Sequence, residues 1–223
     1  MLALTPRLQA VADFVQKGSV IADIGTDHAY IPAYLLQQGL IEKAFACDIR
    51  EGPLRNAHQT IAHCQLSGVT FLLSDGLTAL EGETFDTVII AGMGGEMIAH
   101  ILLQSPWCRQ QVQHFILQPM TKAETLRSFL CTEGFAIEKE SFAAEKDKLY
   151  SILSVRYTGQ KRLLSAAQAL LGFAVEHPLF EQKRQKEIQR LQKVHASLAN
   201  KEEALSERRE VLKLIKEIQD YRC

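Results

Sequence analysis

The chain contains no C-x-x-C pair. Its five cysteines, Cys47, Cys64, Cys108, Cys131 and Cys223, are odd in number and scattered. That excludes a disulfide framework and a cysteine zinc site of ordinary spacing, and it is the usage of a reduced, intracellular protein. Cys47 and Cys131 stand in apolar surroundings and read as packing residues. No apolar run approaches the roughly 20 residues that cross a membrane. The opening MLALTPRLQAV lacks the charged start and apolar run of a secretion signal, so a cytoplasmic location is expected. Net charge is nearly absent too: 25 Lys and Arg against 26 Asp and Glu leave −1. Charge over the whole molecule therefore does not mark a nucleic-acid binder, and a local basic face remains open. Repeats and low-complexity tracts are missing. What is left is 223 residues, 47% of them hydrophobic, enough for one ordinary domain plus an extension.

Strands and helices alternate along the first two thirds. LTPRLQAVADFV reads as a helix capped by Thr5, with Pro6 at its first position, ending at Lys17-Gly18. SVIADIG, KAFACDI, VTFLLSD, FDTVIIAGMGG and HFILQPM are near-continuous apolar runs, as in parallel strands covered on both faces. Helices are expected between them: Ile31 to Gln38, Gly52 to about Leu66, Gly95 to Leu103, and Thr121 to Glu133, the last opening on a Thr-Lys-Ala-Glu capping box. FAIEKESFAAEKDKLYSILSVRYTG leaves no room for a crossover helix and reads as an antiparallel hairpin. Nicotinamide-binding Rossmann halves do not normally end so; class I S-adenosylmethionine-dependent methyltransferases do. The expected fold is α/β and Rossmann-like, a mainly parallel sheet ending in that hairpin. From about Gln160 the composition shifts. LLSAAQALLGFAVEH reads as a helix stopped by Pro178. Phe180 to Leu198 and Glu203 to Tyr221 read as a charged antiparallel coiled-coil hairpin, with Asn200 and Glu203 as a cap. Its apolar stripes run through Ile188, Leu191, Val194 or His195 and Leu198, then Leu205, Val211 or Leu212, Ile215 and Ile218. The expected division is a methyltransferase domain, 1–159, and a helical coiled-coil domain, 160–223.

Chemistry concentrates after the strands. In VIADIGTDHAY only Gly25 stands where a dinucleotide site carries two or three glycines. S-adenosylmethionine has no pyrophosphate, so one glycine suffices for a close backbone approach, and Asp23 suits its ammonium. A plain strand-ending turn explains the same residues. Asp48, 25 residues beyond Asp23, and the adjoining Ile49 suit a ribose with its paired hydroxyls; Asp48 also suits a turn. Asp75-Gly76 suits the adenine amine, or is an Asp-Gly turn. Ala91-Gly92-Met93-Gly94-Gly95 follows the fourth strand, where donor and acceptor should meet. It lacks both an Asn/Asp-Pro-Pro-aromatic motif and the Lys-Ser/Thr of a phosphate loop. Thr26, Asp27, His28 and Tyr30 cluster beside the methyl-donor end, although Asp27 could simply cap a helix. Gln118 and Pro119 stand after the fifth strand, either against a base edge or as a turn. Other readings stay open: a methyltransferase acting on another RNA or a small molecule, a nicotinamide oxidoreductase, or a non-catalytic binding module.

DIGTDHAYIP (Asp23 to Pro32), AGMGGEMIAHIL (Ala91 to Leu102) and ILQPM (Ile116 to Met120) together resemble the TrmK family of bacterial tRNA (adenine(22)-N1)-methyltransferases. The resemblance spans essentially the whole chain. It implies S-adenosylmethionine as donor and tRNA as partner; separately, no metal, no membrane association and a monomer are expected. The resemblance implies cofactor contacts at Asp23, Gly25, Asp48, Asp75 and Gly76, and Asp27 as the catalytic residue; Thr26, His28, Ile49, Ala91, Gly92 and Met93 are expected to join the cofactor site from their places beside these. Thr26 replaces a usual serine, and Asp48 stands where some relatives carry glutamate; both keep the chemistry. Substrate contacts are expected from Tyr30, Gly94, Gly95, Gln118 and Pro119. Arg7, and Lys183, Arg184, Lys186, Arg190 and Lys193 on the first long helix, are candidates for tRNA phosphates, unless that helix is only a solvated charged face.

Overall fold

A computed structural model describes residues 2–199 and 204–222. Its centre is a seven-stranded sheet in the order β3-β2-β1-β4-β5-β7-β6. The strands are β1 (Val20–Ile24), β2 (Lys43–Asp48), β3 (Val69–Leu73), β4 (Thr87–Gly94), β5 (His114–Thr121), β6 (Phe135–Glu145) and β7 (Lys148–Tyr157). The first five are parallel; β7 enters antiparallel between β5 and β6. The short turn after Glu145 forces that reversal, because it cannot carry the chain back along the sheet.

Alternate residues of each strand supply opposite faces. Ala22, Ile24, Val88, Ile90, Phe115, Leu117, Leu153 and Val155 pack with Ile98 and Leu102 of α4 (Gly95–Gln104) and Leu126 and Leu130 of α6 (Ala123–Thr132). Ile21, Ile89, Ile116 and Ile152 pack with Val11 of α1 (Pro6–Ala12) and with Ile31 and Leu35 of α2 (Tyr30–Gln37). Helix α3 (Glu51–His63) covers β2 through Ala57 and Ile61, and α5 (Cys108–Gln111) is a single turn. Cys47, Cys108 and Cys131 are buried.

The chain then forms α7 (Ala166–Leu171), α8 (Phe180–Ser197) and α9 (Leu205–Asp220). These pack on the hairpin through Phe142, Ala167, Leu171, Phe180, Ile188, Leu191, Ile215 and Ile218. A buried ion pair pins the junction. The Arg127 side chain of α6 donates to Glu140 of β6, to Ser151 Oγ of β7 at 2.7 Å and to the Ala169 carbonyl at 2.7 Å. The second Glu140 oxygen accepts the Phe173 N–H at 2.9 Å.

Several local expectations change. Helix α1 ends at Ala12, well before Gly18, and Thr5 makes no side-chain cap bond. The Thr-Lys-Ala-Glu box does not form: Thr121 is the last residue of β5, and Lys122 caps α6 in the left-handed region with φ +57°. The helix expected to run to Pro178 stops at Gly172, which lies at φ +79°. Its start is a true capping box, Ser165 with Gln168, which was not among the expectations above. In α9 the inward positions are Val211, Ile215 and Ile218, while Leu205 and Leu212 face solvent. The cap expected at 200–203 lies outside the described residues.

Candidate active site

The carboxyl ends of β1, β2 and β4 lie side by side, Asp23 opposite both Ala46 and Ile89. The backbone turns sharply after Ile24, where the N–H groups of Gly25 and Thr26 both donate to the Cys47 carbonyl, at 2.8 and 2.9 Å. Gly25 has φ +71°, and a Cβ there would run into the Cε of Met93. The left-handed backbone is what favours glycine here; the Met93 methyl, at the end of a flexible side chain, would only have to move aside.

Beside this turn opens a pocket of about 380 Å³, lined by Thr5, Arg7, Leu8, Asp23, Gly25, Thr26, Asp27, His28, Tyr30, Ile31, Ala91 and Gly92. Asp23 is buried, and Thr26 Oγ1 donates to its carboxylate at 2.6 Å. Burial, partly offset by that bond and reinforced by the nearby Asp48 charge, pushes its pKa up to about 6. An uncompensated carboxylate in this position fits a cationic ligand group.

Asp27 is not a helix cap. Ala29 occupies the N-cap position of α2, and no side chain bonds there. Asp27 instead turns its carboxylate outward, its side chain 65% exposed, with His28 Nε2 at 3.7 Å. Both Asp27 and Ala29 lie at φ +52°, a conformation that costs non-glycine residues roughly 1–3 kcal/mol and gathers at functional sites. The His28 and Tyr30 rings stack in parallel, centroids 5.0 Å apart and planes 6° apart. Tyr30 keeps 40% of its surface exposed.

The opposite wall is built by a side chain 111 residues away from its partner. Arg7 Nη1 donates to Gln118 Oε1 at 2.6 Å, the Arg7 guanidinium lies 5.8 Å from the Tyr150 ring centroid, and Glu145 is 3.9 Å from its Nε. Gln118 is wholly buried. Its Oε1 also accepts the Gly92 N–H at 3.1 Å, and its Nε2 donates to the Pro119 carbonyl at 2.9 Å and contacts Met120 Sδ at 3.7 Å. The amide is fully committed, so the expectation that it reads a base edge is corrected: Gln118 holds Arg7 and the Gly92 turn in place. Pro119 is buried likewise. Gly92 lies at φ +85° in a bulge, where the pairing of β4 with β5 slips between Ala91 and Met93.

The remaining sequence candidates separate. Gly94 is partly exposed. Gly95 is buried, and a Cβ there would overlap the Lys122 carbonyl, so its role is helix packing and not substrate contact. Asp48, Ile49, Asp75 and Gly76 stand beyond the pocket, on the ends of β2 and β3. Asp48 is buried with Oδ1 accepting the Arg50 N–H at 3.1 Å, and its carbonyl takes the Ser74 N–H at 2.9 Å. Ile49 and Asp75 are exposed. On α8, Arg184 turns inward, donating to the Tyr221 carbonyl at 3.0 Å and pairing with Glu181 at 3.0 Å. Lys183 lies over the Phe142 ring at 5.5 Å. Neither is a free surface cation. Lys186, Arg190 and Lys193 are exposed. Thr5, Leu8 and Ile31 were not foreseen in the pocket; their only sequence signal is nearness to Arg7 and Tyr30.

Comparison with known proteins bears on this geometry. Residues 4–153 match a methyltransferase-domain family. The chain is 30% identical over 234 aligned residues to a tRNA (adenine(22)-N(1))-methyltransferase of Bacillus subtilis, covering 99% of this chain and 98% of that one. Streptococcus pneumoniae Sp1610, solved in complex with S-adenosyl-L-methionine, is 34% identical with a TM-score of 0.84, covering 98% of this chain and 99% of that one. M. capricolum TrmK, solved with S-adenosyl-homocysteine, is 28% identical with a TM-score of 0.83, covering 98% and 97%.

Proposed function

Because the chain belongs to the tRNA (adenine(22)-N1)-methyltransferase family, we propose that Asp27 is the residue that meets the reacting adenine. The protein transfers a methyl group from S-adenosylmethionine to N1 of adenine 22 in tRNA. The single observation that carries the site is the pocket itself: Asp23, Gly25, Asp27, His28, Tyr30 and Gly92 line one space at the carboxyl ends of the strands.

The residues fit the cofactor. Asp23, buried and without a cationic partner among the described residues, takes the ammonium of its amino-acid end. Thr26 fixes the orientation of that carboxylate. Gly25 lets the backbone approach closely, Ala91 and Gly92 line the facing wall, and Met93 stands behind Gly25 as a further cofactor neighbour on this reading. Asp48 accepts from the ribose hydroxyls, flanked by Ile49, and Asp75 with Gly76 faces the adenine amine. When bound, the cofactor supplies an electrophilic methyl group and departs as the neutral thioether.

N1 of adenine attacks with its in-plane lone pair, so no proton need be removed first. The ring gains a positive charge as the bond forms. Asp27, held outward by its left-handed backbone, sets a carboxylate beside that charge or accepts a proton from N6. Loss of one such electrostatic partner typically costs on the order of 2.7–4 kcal/mol. N1 lies on the pairing edge, so the base must be turned out of its stack. Tyr30, backed by His28, offers it a new stacking face, with Gly94 at the rim. Arg7, Lys186, Arg190 and Lys193 remain candidates for phosphates. One copy of the chain carries every residue of this reading, which supports action as a monomer. Among the described residues no helix is long and apolar enough to cross a membrane, and no metal-binding cluster forms; the reading places the enzyme in the cytoplasm with its substrate. The helices after residue 159, docked on the β6–β7 hairpin, act on this reading as a tRNA-gripping domain.

The test is methyl transfer from labelled donor to an unmodified tRNA bearing adenine at position 22 and to the same tRNA bearing guanine there. One methyl group on the first and none on the second is expected. No transfer to the first at any salt concentration would sink the assignment.

A further inference from the structure

A second groove, of about 260 Å³, runs between the β6–β7 turn and α8, lined by Met120, Asp147, Lys148, Leu149, Tyr150, Lys183, Lys186 and Glu187. It adjoins the active site: Tyr150 forms part of its wall and lies under Arg7, which lines the other pocket. Met120 touches Gln118, the residue that fixes Arg7. Three ammonium groups face two carboxylates across the groove. Lys186 Nζ is held by the Asp147 carbonyl at 2.8 Å, which leaves its charge unneutralised.

Lys183 is the unusual member. Its stem is enclosed and its ammonium lies 5.5 Å from the Phe142 ring centroid. Among the described residues it has no carboxylate within ion-pair distance. Burial, with the Arg127 guanidinium as a smaller cause and the Glu140, Glu187 and Glu124 carboxylates acting the other way, lowers its pKa to about 8. A lysine that only packed its stem would send its head to water or to a carboxylate. Here the side chain helps to line a groove that brings Lys148, Lys183 and Lys186 against Asp147 and Glu187, with Leu149, Tyr150 and Met120 as its apolar lining. The volume lies below the roughly 300–1,000 Å³ of a pocket for a drug-sized ligand, and it suits one phosphodiester with part of its sugar.

We propose that this groove is a second RNA subsite that holds the phosphodiester of a nucleotide flanking the target adenine, with Lys183 and Lys186 as its anion-binding groups. It rests on the tRNA reading above. It turns α8 from a distant gripping arm into part of the positioning apparatus. Arg7 and Tyr150 stand between the two sites, so a strand fixed here delivers the next nucleotide toward Asp27.

The full chain is compared with Lys183→Met, which keeps the apolar stem, with Lys186→Ala at the exposed rim, and with Lys216→Ala on α9 as a surface control. Two readouts are taken: steady-state methylation of the adenine-22 tRNA, and anisotropy of a fluorescent copy of that tRNA across a salt series. The expected result is a rise of about tenfold in KM for tRNA with kcat and S-adenosylmethionine affinity retained in both groove variants. Each should also flatten the slope of log affinity against log salt by about one. Lys216→Ala should change neither. Unchanged KM and salt slope in both groove variants overturn the subsite, as does an equal loss in Lys216→Ala, which marks generic charge loss. Absence of methylation by the wild type strikes the assignment of function instead, and the anisotropy arm still decides the groove.

Discussion

Asp23 allows a sharp test, because one side chain joins stability, cofactor affinity and pH. Its carboxyl is buried, with Thr26 as its bonded partner. The rise from an ordinary 3.8 to about 6 corresponds to about 3 kcal/mol, at roughly 1.36 kcal/mol per pH unit. The folded protein thus holds this proton more tightly than the unfolded chain. Its contribution to stability is complete below about pH 4 and is lost as pH rises through 6, so free protein at neutral pH carries a charge that it would hold better neutral. A bound ammonium reverses this. Below about pH 6 the cofactor must displace the Asp23 proton, and its affinity should fall about tenfold per pH unit. Titration calorimetry between pH 5 and 7, in two buffers of different ionisation enthalpy, reads both affinity and proton release. The Asp23→Asn variant should bind the cofactor roughly 10- to 100-fold more weakly, lose the pH dependence, and melt several degrees higher when free. A flat affinity from pH 5 to 7 without proton release, or a free Asp23→Asn protein that melts lower, would refute the assignment of Asp23 to the ammonium.

Three further outcomes are expected. Asp27→Asn should keep cofactor affinity, measured by calorimetry, while single-turnover methylation falls about 10²- to 10³-fold; unchanged turnover removes Asp27 from the reaction. Gly25→Ala places a Cβ against Met93 at φ +71° and should weaken cofactor binding at least about tenfold; adding Met93→Ala relieves the clash but not the backbone cost of about 1–2 kcal/mol. Arg127→Ala leaves Glu140 buried without its partner and should cost about 3–5 kcal/mol in urea unfolding, with smaller loss in Arg127→Met/Glu140→Leu.

How far the site was readable from sequence follows the range of the forces involved. Gly25, Asp23 and Thr26 are neighbours in the chain, and their strand-to-turn geometry is local, so the motif announced them. The turn at Gly172 and the Ser165–Gln168 box are equally local signals, yet the apolar period of LLSAAQALLGFAVEH masks them in the sequence. Thr121 shows the converse: its capping-box pattern is sound locally, but β5 pairing with β4 as far as Thr121 holds it in the sheet. Gln118 looked like a reader of bases because its amide chemistry permits that. Burial and four partners decide otherwise. Lys183 and Arg184 looked like surface cations because a helix sequence shows charge and not orientation.

The sequence by itself determined the order of strands and helices, the antiparallel ending, the cofactor class and the Asp23–Gly25–Asp27 cluster. Each rests on hydrophobic period, loop length or residues a few positions apart. Only the tertiary structure decided that Arg7 closes the pocket on Gln118, that Arg127 and Glu140 bind the helical segment to the sheet, and that Lys183 faces a groove beside the active site. Those are contacts between distant parts of the chain, and packing against the two faces of the sheet sets them. No local propensity encodes which side chain that packing leaves without a partner.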